Sequence, residues 1–491
     1  IVPSAPELAP WAVEEHHVMI PSHRSVEVIG NDVMRIEIDT SRKLRAIEAH
    51  QSQYYSTQRL IASLKSSTCE AIEVCQILQA RSRRNFVTAL PLNKSIQNIK
   101  PQRDWQYTYN SLLSRCYRRQ ELANLLEQQA EYWGNSQEVL ANIQKLRDDK
   151  TVAVVTGQQV GILGGAAYTL YKTLGAIKLA QELESQGIPA VPIFWMASYD
   201  HDIEEVQRVE IFSNQPNTLN LGLPSTQSPV GSIELGLSVY SLLDEIEESF
   251  QNLTYSKEVI TALRSAYQPD VTFAQAFARF LSYLTSQLGL IILDPSTREF
   301  ASLARNIIAR ELFDGSQTAL QETREILTSL GLEETIPTNR DVLQMFYTDD
   351  NGIRRRLRKV EGGFALQQTN VYLTNEGARN ILHCSPEKFT PSALMRPLVQ
   401  DAVLPTIAYV AGPSELKYFT QLHRVYTWAN IPMPQIVARP SFTVIGADTA
   451  NILASAGGTL RLINSEKPAS LIGRAGLPST INLACDELRV L

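Results

Sequence analysis

Very few architectures satisfy residues 151–202, TVAVVTGQQVGILGGAAYTLYKTLGAIKLAQELESQGIPAVPIFWMASYDHD. An apolar, β-branched run from Val152 to Val155 predicts a buried strand bounded by Gly157. A polar, glycine-bearing loop is expected next, with Gly157, Gln158, Gln159, Gly161, Gly164 and Gly165. Tyr168, Tyr171, Leu174, Ile177, Lys178 and Leu183 then recur at spacings of three and four, which predicts a helix. Gly187 stops it and Pro189 bars its extension. A second apolar run, Val191 to Met196, ends in Ser198, Asp200, His201 and Asp202, which apolar packing cannot explain. The pattern is a βαβ unit whose two strands both end in polar residues. In open parallel sheets, ligands bind beyond the carboxyl ends of the strands.

Residues 406–444 repeat the plan. A strand, Thr406 to Val410, leads into Ala411-Gly412-Pro413-Ser414-Glu415, then a helix to about Ala429, then a strand from Gln435 to Ala438 ending at Arg439. Two such units predict an α/β fold with a doubly wound, mostly parallel sheet and a cleft between the units. Between them, strands are expected at Arg208–Phe212, Val230–Leu235 and Leu290–Leu293, an amphipathic helix over Thr272–Leu288, and helix over 297–333. Residues 344–373 read as antiparallel strands around Asn351-Gly352 and Gly362-Gly363. The basic run Arg354, Arg355, Arg356, Arg358, Lys359 on this inserted hairpin reads first as a solvated strand face.

The expected division is an N-terminal hairpin and long helix over 1–85, and a helical lead-in over 86–150 with a helix from Ser111 to Asp148 broken near Gly134. The core follows over 151–445, then a C-terminal segment over 446–491. In the first segment, Val26–Ile29 and Val33–Ile38 flank a Gly30-Asn31-Asp32 turn. His16, His17, His23 and His50 gather there too, but without metal-site spacing or a completing carboxylate, so no metal is expected.

Composition narrows the function classes. The 491 residues carry a net charge of −6, which indicates no general attraction to nucleic acid or anionic membrane. No apolar run approaches the ~20 residues that span a bilayer. Cys69, Cys75, Cys116, Cys384 and Cys485 are scattered without a CxxC pair, which suits a reducing, cytoplasmic setting. The chain begins at Ile1, so it is expected to be part of a longer one.

Several residues could carry chemistry. The Thr156-Gly157-Gln158-Gln159 segment before a helix N-terminus suits an anion, although a turn needed only for close packing would look the same. It is neither a P-loop nor a dinucleotide fingerprint. Lys172, one turn into the helix, could point back toward that anion. Asp200, His201 and Asp202 at a strand end suit general acid–base work, since a carboxylate beside an imidazole fixes its tautomer. Arg396 and Arg439 have the planar fork that binds carboxylates, and could equally form structural ion pairs. Glu415 lies in the first turn of its helix, where the dipole alone favours it.

The segments VVTGQQVGILGGAAYTLYK, VPIFWMASYDHDIEEV, GLIILDP, TPSALMRPLVQDAVLPTIAYVAGPSEL and PMPQIVARPSF together resemble the cysteine-adding enzymes of bacillithiol biosynthesis over about residues 86–490. The resemblance implies a Rossmann-like core and addition of cysteine to the amine of glucosaminyl malate. A carboxylate is a poor acyl donor at neutral pH, so activation is expected, most simply by ATP with magnesium. The resemblance also implies a homodimer held by a C-terminal coiled coil, which would begin after Leu488 and so is expected to be largely missing from this chain. Neither nucleic acid nor membrane is an expected partner. Under that reading His201, Asp200 and Asp202 are the catalytic candidates. Thr156, Gly157, Gln158, Gln159, Tyr168, Lys172, Arg396, Gln400, Gly412, Pro413, Glu415 and Arg439 would bind substrate or nucleotide. Two other readings stay open: a nucleotidyl- or glycosyltransferase on a similar core, and a metabolite-binding scaffold without catalysis. Residues 1–70, with IEIDTSRKLRAIEAHQSQYY, resemble the tail of an N-acetylglucosaminyl-malate deacetylase, which implies a fusion of two enzymes of one pathway.

Overall fold

The computed structural model describes residues 105–442, apart from 213–215, 225–227, 252–254, 330–331 and 333, together with strands Val26–Val28 (β1) and Met34–Ile36 (β2). The two strands pair antiparallel. The expected long N-terminal helix, the histidine cluster and the C-terminal segment lie outside the described residues.

Three helices, Trp105–Leu113, Arg119–Trp133 and Gln137–Leu146, lead into the sheet. The expected single helix thus breaks near Gly134 (φ 97°) and also at residues 114–118. Just after that second break, the buried Arg119 guanidinium donates to the carbonyls of Leu146, Asp149 and Thr151, tying the second helix to the approach to the sheet.

Strand β3, Val152–Gln159, begins as expected but runs through the predicted polar loop. Gly157, Gln158 and Gln159 stay in register with Trp195, Met196 and Ala197 of β4, Ala190–Ala197. That pairing holds them extended, and the turn comes later, at residues 160–166, before the helix Ala167–Ser185. Arg208–Phe212 (β5) pairs antiparallel with Pro216–Asn220 (β6). The strand expected over Val230–Leu235 is instead a 3-10 turn, Val230–Ser232, with one bridge from Glu234 to Thr272. It folds back because the amides of Val230 and Gly231 donate to the carbonyls of Asp200 and Ser198. Helix Phe273–Thr285 starts at a Thr272 capping box. It leads through Gly289 (φ 72°) into β7, Ile291–Leu293.

Residues 297–333, read as one helical stretch, form helices Arg298–Leu303, Arg305–Phe313 and Gln317–Ser329. An antiparallel sheet follows: Val342–Thr348 (β8), Arg354–Val360 (β9), Gly363–Leu366 (β10), Tyr372–Thr374 (β11) and Phe389–Pro391 (β12). Its order is β11-β10-β9-β8-β12. The chain returns through helix Arg396–Val403 to Thr406–Ala411 (β13) and ends its described part at Gln435–Ala438 (β14). The helix between these strands is split by a 3-10 turn at Thr420–Leu422.

The central sheet has the order β14-β13-β3-β4-β7, and every pairing in it is parallel. The first strand sits in the middle. The chain winds outward to β7, then crosses back to β13 and β14, so the winding reverses between β3 and β13. That is a Rossmann-like sheet with its switch point between two glycine-bearing strand ends. Both faces are covered, as unbroken apolar runs require. Val152 and Val154 pack with Ala176, Ala180 and Leu183 of helix Ala167–Ser185. Ala153, Val155, Val191 and Ile193 pack on the other face with Leu122, Leu126 and Ile143. Phe194 meets Phe277 at 5.6 Å. Among the described residues, no helix is long and apolar enough to cross a membrane.

Candidate active site

Charge gathers at the carboxyl end of the sheet, on both sides of the switch point. Lys172 is 1% exposed, unusual for a lysine, because its place one turn inside helix Ala167–Ser185 aims it at the β3 end. Its ammonium donates to the Gly157 carbonyl and to Gln158 Oε1 (3.3 Å), and pairs with Glu415 Oε2 at 2.6 Å. Glu415 comes from the other wall. Pro413 opens helix Pro413–Phe419, and Glu415 reaches back to accept from the Gly412 amide at 2.7 Å. Its second oxygen accepts from Tyr409 OH at 2.7 Å and lies 3.7 Å from Arg396. Burial works against the Glu415 carboxylate, but Lys172 and Arg396 outweigh it and hold its pKa below the ordinary value. Burial pulls the Lys172 pKa down, opposed by Glu415.

Arg396 lies over the Tyr409 ring at 5.2 Å and donates to Tyr418 OH at 2.6 Å. Burial would lower its pKa, yet the facing Tyr409, Tyr418 and Glu415 hold it raised. Thr156 fastens the two walls, its hydroxyl donating to the Val410 carbonyl at 2.9 Å. Gly157 must lack a side chain, since a Cβ there would sit 2.8 Å from the Trp195 carbonyl oxygen. Arg439 donates its amide to the Ala411 carbonyl at 2.8 Å and stacks 5.5 Å from the Tyr168 ring centroid. Tyr168, Gly412 and Arg439 therefore share the rim of β13.

The β4 end supplies the second half. Asp200 Oδ2 accepts from Gln159 Nε2 at 2.5 Å, and Oδ1 accepts from the His201 amide at 2.8 Å. His201 Nδ1 lies 3.6 Å from the same Oδ1, and its side chain is 51% exposed. Below them Ser198 donates to the buried Asp294 at 2.6 Å, tying β4 to the β7 end. Asp202, expected among the acid–base groups, caps the short helix Ile203–Val206 by accepting from the Glu205 amide at 3.2 Å. Gln400 is wholly buried, and its amide nitrogen donates to Asp401 at 2.8 Å.

One member of the basic run joins this site, contrary to the solvated-face reading. Arg354 stacks on Phe346, 3.8 Å from guanidinium to ring centroid, and lies 5.5 Å from the Tyr199 ring that follows β4. Burial lowers its pKa to about 10, while Tyr199 and Asp200 act to raise it. Tyr199 is pushed up to about 12 by burial, against the pull of Arg396 and Arg354. Alternation along β9 gave no hint of this, because the aromatic shelf comes from β8 and from the β4 end. Among the described residues, no three His, Cys, Asp or Glu side chains gather closely enough to hold a metal ion.

The sequence of this core matches a known family. Residues 86–440 fit the family model described as "Bacillithiol biosynthesis BshC, N-terminal Rossmann-like domain". Several curated proteins named "Putative cysteine ligase BshC" are similar. That of Salinibacter ruber is 33% identical over 351 residues, 70% of this chain and 63% of the relative. That of Chloroherpeton thalassium is 33% identical over 368 residues, 73% and 65% respectively. The Bacillus velezensis protein is 28% identical over 348 residues, 70% and 64%. The chain thus spans a little under two thirds of the length of these relatives.

Proposed function

The chain belongs to the BshC family of bacillithiol biosynthesis, and on that premise we propose that it is a ligase joining the carboxyl group of cysteine to the amine of glucosaminyl malate. The observation that carries the proposal is the position of the charged groups. Lys172, Glu415, Arg396, Asp200 and His201 all lie at the carboxyl end of a parallel sheet, about its switch point.

Amide formation needs an amine that has lost its proton and a carboxyl group that has been activated. ATP with magnesium, when bound, supplies that activation. The helix Ala167–Ser185 suits its phosphates, because the Ala166 N-cap offers no side-chain hydrogen bond to the first-turn amides. No cluster of three His, Cys, Asp or Glu side chains lies among the described residues, and magnesium bound with ATP is commonly held largely by the phosphates. Asp200 attracts the substrate ammonium, and His201 beside it takes the proton as the amine attacks. The Lys172–Glu415 pair fixes the β3 end and the Gly412 turn relative to each other, which sets the spacing of the cleft walls.

The test is product formation. The chain, given cysteine, glucosaminyl malate, ATP and magnesium, should yield the cysteinyl adduct by mass spectrometry, with nucleotide cleavage that needs both substrates. His201→Ala should lower the rate by about a hundredfold or more while the chain stays folded. Turnover of a nucleotide sugar without cysteine would sink the ligase reading in favour of a transferase.

A further inference from the structure

We infer that Arg354 is the carboxylate receptor of this cleft, binding the malate end of the amine-bearing substrate; the inference rests on the ligase reading above. The arginine is fixed on one side only. Its Nε donates to Thr390 Oγ1 at 2.8 Å and its Nη2 to the Pro391 carbonyl at 2.7 Å, both neutral acceptors. Phe346 and Tyr199 supply flat faces for the guanidinium. Among the described residues, Arg354 forms no ion pair and its Nη1 makes no hydrogen bond, whereas the next residue, Arg355, pairs with Asp349 at 2.6 Å. Arg396, the other arginine near Tyr199, already faces Glu415 and Tyr418.

Arg354 is half-buried, and a partly desolvated cation without a counter-charge within ion-pair distance is well placed for a ligand to supply that charge. An arginine fork held by two neutral bonds is pre-set to grip a carboxylate with its free side. Asp200 acts on Arg354 electrostatically from beyond ion-pair distance. The two charges therefore face the cleft as a complementary pair, Asp200 for an ammonium and Arg354 for a carboxylate. Glucosaminyl malate carries both groups, and its carboxylates take no part in the bond being made. The carboxyl group of cysteine, by contrast, must stay free to react.

Calorimetry on the whole chain tests this with three ligands: glucosaminyl malate, its malate dimethyl ester, and cysteine. Arg354→Gln should weaken glucosaminyl malate by about thirtyfold or more, Arg354→Lys should weaken it less, and cysteine should bind both as it binds wild type. The dimethyl ester should bind wild type as weakly as glucosaminyl malate binds Arg354→Gln, and this arm stands even if the variant fails to fold. Wild-type affinity for glucosaminyl malate in Arg354→Gln, full affinity for the ester, or a selective loss of cysteine would each overturn the assignment while leaving the ligase reading intact. A wild-type chain that ignores glucosaminyl malate would overturn both.

Discussion

Glu415→Gln should destabilise the chain by about 3 kcal/mol and nearly abolish turnover. The carboxylate stands at the meeting of Lys172, Arg396, Tyr409 OH and the Gly412 amide, all of them donors. Glutamine keeps the shape, but one acceptor oxygen becomes an NH₂ aimed at a donor, and Lys172, 1% exposed, loses its counter-charge. Breaking one side of a buried pair typically costs ~3–5 kcal/mol. Adding Lys172→Met should recover much of the stability, since the stranded charge goes too, yet not the activity, because the strand end and the Gly412 turn stay untied. Urea unfolding of the two single variants and the double variant measures the coupling. A Glu415→Gln chain within about 0.5 kcal/mol of wild type would show that the pair carries no such energy.

The same chain should lose stability as pH rises from about 4.5 to 7, and Glu311→Gln should remove much of that loss. Glu311 lies fully buried on helix Arg305–Phe313, where Oε1 accepts from the Gln344 amide at 2.7 Å. Burial pushes its pKa from 4.5 to about 7, against the help of that amide and of Ser316. The folded chain thus keeps a proton that the unfolded chain has released. A raised carboxyl pKa gives stability that is fully present below 4.5 and lost as pH climbs through about 7. The shift corresponds to something on the order of 3 kcal/mol. Asp401, pushed up to about 6 by burial, acts in the same direction. Glu415 acts oppositely. Its pKa is depressed, so its contribution is present above 4.5 and lost only as pH falls through the lowered value. Unfolding midpoints at pH 5 and pH 8, for wild type and Glu311→Gln, isolate the Glu311 contribution, since that of Glu415 does not change over this range. An unchanged pH slope in the variant would remove Glu311 from this account.

Much of the scaffold was legible in the chain because its signals are local. Apolar runs, helical spacing and the Gly187-Pro189 stop define the first βαβ unit, and strands β3 and β4 lie where those signals put them. What stayed hidden depends on partners far away in sequence. Gly157-Gln158-Gln159 looked like a loop, and only pairing with Trp195-Met196-Ala197 keeps it extended. The capping role of Asp202 at helix Ile203–Val206 was likewise not read from the chain. Lys172 pointed the right way along its helix, but its burial follows from Glu415, 243 residues on. Arg354 was lost in a basic run whose other members are exposed or paired, since its aromatic shelf joins Phe346 of β8 to Tyr199 from the turn after β4.

We propose that cysteine and glucosaminyl malate meet in the cleft between the ends of β3, β4 and β13. A crystal structure of the chain with both substrates tests it most directly. Ligand density is expected bounded by Gln158, Asp200, Arg354 and Gly412, with the substrate amine nearest Asp200 and His201. Density for either substrate elsewhere on the molecule, with that cleft holding only solvent, would contradict it.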